Sequence, residues 1–201
     1  LSDIGVDAIK IGMVHKAEIF EVIYNSFARH NVINNKKIKI VLDPVMFAKG
    51  GFPLLEVDAI DALKIFIKKC KPILTPNIPE AELLSNTKIN NKKNMIVSGE
   101  IILNMGAEAV VLKGGHLNSI ELVDYVLNKE SLLEYKSKKI DTNNTHGTGC
   151  TLASAIVANL AKSYSIQESM RFAHSYVQLA IKLAPKFGKG HGPLNHCHNV
   201  N

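Results

Sequence analysis

The stretch Asn144-Thr145-His146-Gly147-Thr148-Gly149-Cys150-Thr151 concentrates more reactive chemistry than any other part of the chain. Two glycines one residue apart let the backbone turn sharply and aim several N–H groups at one point. A helix of small residues starts near Cys150, and the positive end of its dipole adds to those amides. Gly147, Thr148 and Gly149 are therefore expected to cradle an anion such as phosphate. Cys150, at the rim, could accept a proton from a hydroxyl or act as a nucleophile. The plainer alternative is a glycine-rich helix start with no ligand. The small residues directly behind the loop weigh against it, because they permit close approach.

Other polar or small residues gather where strand-like runs end: Gly12-Met13, Asp43-Pro44-Val45-Met46, Thr75-Pro76-Asn77 and Lys113-Gly114-Gly115. Open α/β sheets bind ligands beyond the carboxyl ends of their strands, so these four and the Asn144 to Cys150 loop mark one end of a sheet as the site. Asp43, Asn77 and Glu80 can hold Mg2+ through water and orient phosphates. Asn77 also reads as a helix cap. Lys113 could bring one ammonium near a phosphate. Cys70 falls on the apolar stripe of a helix and reads as structural. The tail from His191 to His198 matches no standard zinc spacing. The sequence has no G-x-x-x-x-G-K-[ST] segment, and no G-x-G-x-x-G follows a strand.

These loops need elements to carry them. Apolar runs of strand length alternate with segments of helical period, the pattern of an α/β domain with a mainly parallel sheet. Strands are expected over 7–13, 37–42, 72–75 and 107–113, with a hairpin over 122–127 and 132–140. Helices are expected over 17–30, 57–69, from Asn77 onward, and over 93–105, 150–163 and 166–183. Pro44 and Pro76 stop the strands before them, and Pro79-Glu80 suits the first turn of a helix. No repeat or linker divides the 201 residues, so one domain over 1–201 is expected.

Composition sets the class. Apolar residues make up 46% and charged residues 21%, as in globular proteins rather than disordered ones. The net charge of +6 comes from scattered lysine pairs without interleaved aromatics, so no nucleic-acid partner is expected. No apolar run is long enough to span a bilayer, so no membrane partner is expected either. Three scattered cysteines form no disulfide framework, and a cytoplasmic location is expected. The opening Leu1-Ser2-Asp3-Ile4 reads as the interior of a longer sequence.

Taken in order, several segments resemble the hydroxymethylpyrimidine/phosphomethylpyrimidine kinases of thiamine biosynthesis, within the ribokinase-like superfamily. They are Lys10-Ile11-Gly12-Met13; Asp43-Pro44-Val45-Met46 with Lys49-Gly50-Gly51; and Thr75 to Ala81. Further on come Val111-Leu112-Lys113-Gly114-Gly115-His116, Asn144 to Thr151, and Gly190 to His196. The resemblance implies a ribokinase-like three-layer α/β/α fold lacking the family's N-terminal part. It implies MgATP-dependent phosphorylation of the pyrimidine hydroxymethyl group and then of the monophosphate, commonly by a homodimer. By position, Gly147, Thr148 and Gly149 would form the anion hole. Cys150 would stand where most of the superfamily holds an Asp base. Asn77 and Glu80 match the superfamily's Asn-x-x-Glu element near Mg2+ and phosphate. Asp43, Lys113 and Thr145 would lie on the ATP side, and Met13 and Val45 would touch the pyrimidine. Two alternatives stay open: a pyridoxal or pyridoxine kinase of the same superfamily, and a non-catalytic ligand-binding domain on that scaffold.

Overall fold

The computed structural model describes residues 1–48, 50–115 and 121–200. Lys49 and His116, both part of the resemblance above, lie outside them. The chain runs β1 (Ala8–Ile11), α1 (Ala17–Arg29), β2 (Lys39–Leu42), α2 (Val57–Cys70), β3 (Ile73–Leu74), α3 (Ile78–Ser85), α4 (Lys92–Asn104), β4 (Ala109–Leu112), β5 (Glu121–Leu127), β6 (Leu132–Lys138), α5 (Thr148–Leu160) and α6 (Ile166–Lys182). The six strands pair in chain order. β1 to β4 are parallel, and β5 and β6 return antiparallel. The fold is α/β, with a mixed sheet that is parallel over its first four strands.

Side-chain alternation along the strands splits the interior in two. Leu42, Leu74, Val110, Leu112, Tyr125 and Leu127 pack with residues of α1 to α4 on one face. Their neighbours Val41, Ile73, Ala109, Val111 and Val126 pack with α5 and α6 on the other. The expected three layers follow from the continuously apolar strands, since only a sheet covered on both faces buries every residue of Ala109–Leu112.

The elements fall where periodicity places them, with strand ends trimmed. β3 keeps two residues of the expected 72–75, because Pro76 cannot donate to a ladder and Pro72 lies outside the pairing. α5 starts at Thr148, two residues before the expected 150, and ends at Leu160 rather than 163. At its other end Ser163 turns into left-handed backbone at φ 66°. No helix among the described residues is long and apolar enough to cross a membrane.

Candidate active site

The carboxyl ends of β2, β3 and β4 meet at Asp43. Its Oδ1 accepts the Thr75 hydroxyl at 2.9 Å and the Lys113 ammonium at 3.1 Å. Asp43 is 1% exposed, and the Lys113 side chain is 15% exposed. Parallel pairing puts these residues side by side: each strand ends one step before its polar residue, and the Lys113 amide donates to Pro76 O at 3.0 Å. A buried ion pair of this kind is poor evidence for stability, because desolvation offsets its attraction. It does hold the lysine in one place.

Glu80 joins from α3. A capping box fixes it: the Glu80 amide donates to Asn77 Oδ1 at 3.0 Å, and Glu80 Oε2 accepts the Asn77 amide at 2.8 Å. Its Oε1 accepts the Met46 amide at 3.4 Å. Burial pushes the Glu80 carboxyl above its ordinary range. The Lys113 charge and the two amides oppose the shift, and the Asp43 charge adds to it. Asn77 is thus a helix cap, as its type suggested, and it also aims Glu80 at the cluster. Among the described residues no three His, Cys, Asp or Glu side chains gather as a direct metal cage.

Across this cluster lies the loop that leads into α5. Gly147 is its N-cap at φ 84°, a left-handed conformation that glycine adopts at little cost. Thr148 Oγ1 donates to Thr145 O at 2.8 Å, and Thr151 Oγ1 donates to Gly147 O at 2.8 Å, which secures the turn on both sides. Gly149 and Cys150 belong to the first helical turn, where backbone amides lack intrahelical acceptors. Lys113 Nζ stands against this turn: a Cβ built on Gly149 would lie 3.1 Å from it. The strand-end cluster and the glycine loop are therefore one site, linked by a lysine.

Cys150 is exposed and lines a groove of about 740 Å³ along α5 and α6, together with Ser154, Tyr176 and His196. Because α5 begins earlier than expected, Cys150 is its third residue and not the residue at its mouth. Cys70 is structural as expected: it is buried, and burial pushes its thiol up to about 12. Met13 is 55% exposed beyond β1. Val45 is half-buried and its amide donates to Asp43 O at 2.8 Å, so it sits beside the cluster. Hydrogen bonds tie the tail to the loop and to α6: His146 N donates to Gly192 O at 3.2 Å, and Asn195 N donates to Ala180 O at 3.0 Å. Sequence reasoning passed over one residue here. Asp124, on β5, accepts the Gly114 amide at 2.8 Å, and burial raises its carboxyl against the pull of that amide and of the charges on His174 and Lys113. A lone acid inside Leu122-Val123-Asp124-Tyr125-Val126-Leu127 was the available signal.

Comparison with known proteins gives a consistent result. The sequence model of the family described as phosphomethylpyrimidine kinase matches residues 1–195. The chain is 37% identical over 200 residues to a hydroxymethylpyrimidine/phosphomethylpyrimidine kinase of Salmonella typhimurium, covering 98% of itself and 73% of that relative. It is 39% identical over 195 residues to a thiamine biosynthesis bifunctional protein of Geobacter sulfurreducens, covering 97% of itself and 39% of the relative's length. Its fold is similar to that of pyridoxal kinase from Bacillus subtilis in an ADP complex, with a TM-score of 0.85 and 31% identity over 98% of this chain and 72% of the other.

Proposed function

The chain belongs to the phosphomethylpyrimidine kinase family, and on that premise we propose that it transfers the γ-phosphoryl group of ATP to hydroxymethylpyrimidine and then to its monophosphate, in thiamine biosynthesis. One observation carries the reading: the Lys113 ammonium stands over the first turn of α5, where unpaired amides and a helix dipole already favour an anion. Asp43 already balances that ammonium, so the positive potential left for a phosphate comes from the α5 amides and dipole, with Lys113 held within reach.

In this reading the substrate hydroxyl attacks the γ-phosphorus in line, and the bond to the β-phosphate oxygen breaks. Cys150, reacting as its thiolate, accepts the hydroxyl proton on sulfur. The amides of Gly149 and Cys150, with Lys113, meet the charge on the phosphoryl oxygens. Thr145 and Asp43 belong to the ATP side, and Met13 and Val45 to the pyrimidine side. Mg2+ would be held through water by Glu80 and Asn77, which fits a donor set whose carboxylate oxygens already accept amides. The ion would supply charge neutralisation between phosphates. A cytoplasmic homodimer belongs to the same reading, from the family resemblance.

The test is Cys150→Ala in an ADP-release assay, with ATP binding followed by calorimetry. A general base typically contributes roughly 10²–10⁴-fold, so turnover should fall by that order while ATP binding persists. Turnover at the wild-type rate would remove Cys150 from the mechanism. The similarity to a pyridoxal kinase favours a second reading, phosphorylation of pyridoxal. Cys150 in place of an Asp base argues for the pyrimidine, and competition between the two acceptors decides. A wild-type chain that binds both ligands yet releases no ADP would be a non-catalytic binding domain.

A further inference from the structure

Lys113 is the hinge of the site, and the residue that holds its backbone lies outside every motif. Resting on the phosphotransferase reading, we propose that Asp124 is a positioning residue, which fixes the turn after Lys113 by accepting the Gly114 amide and so sets where the Lys113 ammonium stands.

The observations are independent of one another. Asp124 sits in mid-strand on β5, opposite Tyr135 in the register. An acid in such a place is costly unless it is paired, and this one takes the Gly114 amide at 2.8 Å. Gly114 is pressed onto the same strand: a Cβ on it would fall 2.0 Å from Val123 O, a backbone atom that cannot step aside. The Lys113 amide is bound on the opposite side by Pro76 O at 3.0 Å. Both peptide N–H groups flanking the Lys113 α-carbon are thus held, one by β3's end and one by Asp124. The side chain leaves this fixed base and reaches Asp43 Oδ1 at 3.1 Å and the Gly149 turn. Without the Asp124 acceptor, the amide of a buried residue has lost its partner and the turn must shift. A long flexible side chain such as lysine, launched from a shifted base, loses its single placement. Asp124 touches neither phosphate nor acceptor in this scheme. It acts through Lys113.

The experiment uses the full chain and compares Asp124→Ala, Asp124→Asn, Lys113→Ala and the double variant Asp124→Ala/Lys113→Ala, reading ADP affinity by calorimetry and kcat and KM for ATP. Losing a hydrogen bond to a charged group corresponds to about tenfold or more, so Asp124→Ala should weaken ADP binding and raise the ATP KM by about that factor. Asp124→Asn, which keeps an acceptor, should recover most of the loss. On the Lys113→Ala background, Asp124→Ala should add little. An equal cost on both backgrounds would reduce Asp124 to a structural acid and overturn the proposal, as would an Asn variant as poor as Ala. Should Asp124→Ala not fold, Asp124→Ser removes the reach with less loss of volume and is read in the same way. Hydrogen exchange at the Gly114 amide separates this claim from the kinase reading. Exchange should be slow in the wild type and Asp124→Asn, and about tenfold faster in Asp124→Ala or Asp124→Ser, whether or not the chain turns over. Protection that survives loss of the carboxyl overturns the assignment. Absence of ADP binding and turnover in the wild type overturns only the kinase reading.

Discussion

Glu80 feels opposing influences on its proton. Burial and the neighbouring Asp43 charge raise its pKa, while Lys113 and two amides pull it down, and burial wins. The folded state therefore holds this proton more tightly than the unfolded chain does. By linkage, the stability Glu80 contributes is fully present below the ordinary 4.5 and is lost as pH rises through the higher folded value. Glu80→Gln stays neutral throughout and removes that dependence. Urea unfolding across a pH series should show the stability of the wild type gaining on the variant as pH falls from neutral toward 4.5. A gap that is constant, or that moves the other way, would contradict the assigned cause. Much of the site was legible at this scale because its residues break patterns: Gly147-Thr148-Gly149, Asp43 before proline, Lys113 before two glycines. Asp124 was not, since alternation along a strand normally turns a single acid to solvent. Here Asp124 is the one acid in an otherwise apolar run, half-buried on the Val126 side of the strand and engaged by the Gly114 amide.

Two helices, α3 and α6, begin with the same device. Asn77 with Glu80 and Ser165 with Glu168 both form complete capping boxes. Replacing either cap by alanine should cost about 1 kcal/mol of stability. The consequences then diverge. Ser165→Ala should leave ADP affinity as it was, because α6 starts on the exposed surface. Asn77→Ala should lower stability by a similar amount and also weaken nucleotide binding, because the same box aims Glu80 at Asp43 and Lys113. Thermal unfolding paired with calorimetry distinguishes them, and equal effects on ADP binding would count against a role for α3 in the site. Helix existence was plain from period and caps. The start of α5 was not, since its first two residues, Thr148 and Gly149, are weak helix formers placed by the Gly147 turn and the Thr151 bond.

The sheet as a whole sets both the position of the site and its exposure. Three parallel strands end at the same level, so Asp43, Thr75 and Lys113, far apart in sequence, arrive together. The change to antiparallel pairing after β4 brings Asp124 back beside Gly114. That order could not be read from element types alone, because alternating strands and helices permit several arrangements of one parallel sheet. The same order leaves β1 at the margin, hydrogen-bonded on one side to β2. β6, at the opposite margin, presents Glu134, Lys136 and Lys138 among its seven residues, charges that discourage lateral growth. β1 carries a single charge, Lys10, among Ala8, Ile9 and Ile11. Beside that charged margin, β1 is short and almost wholly apolar.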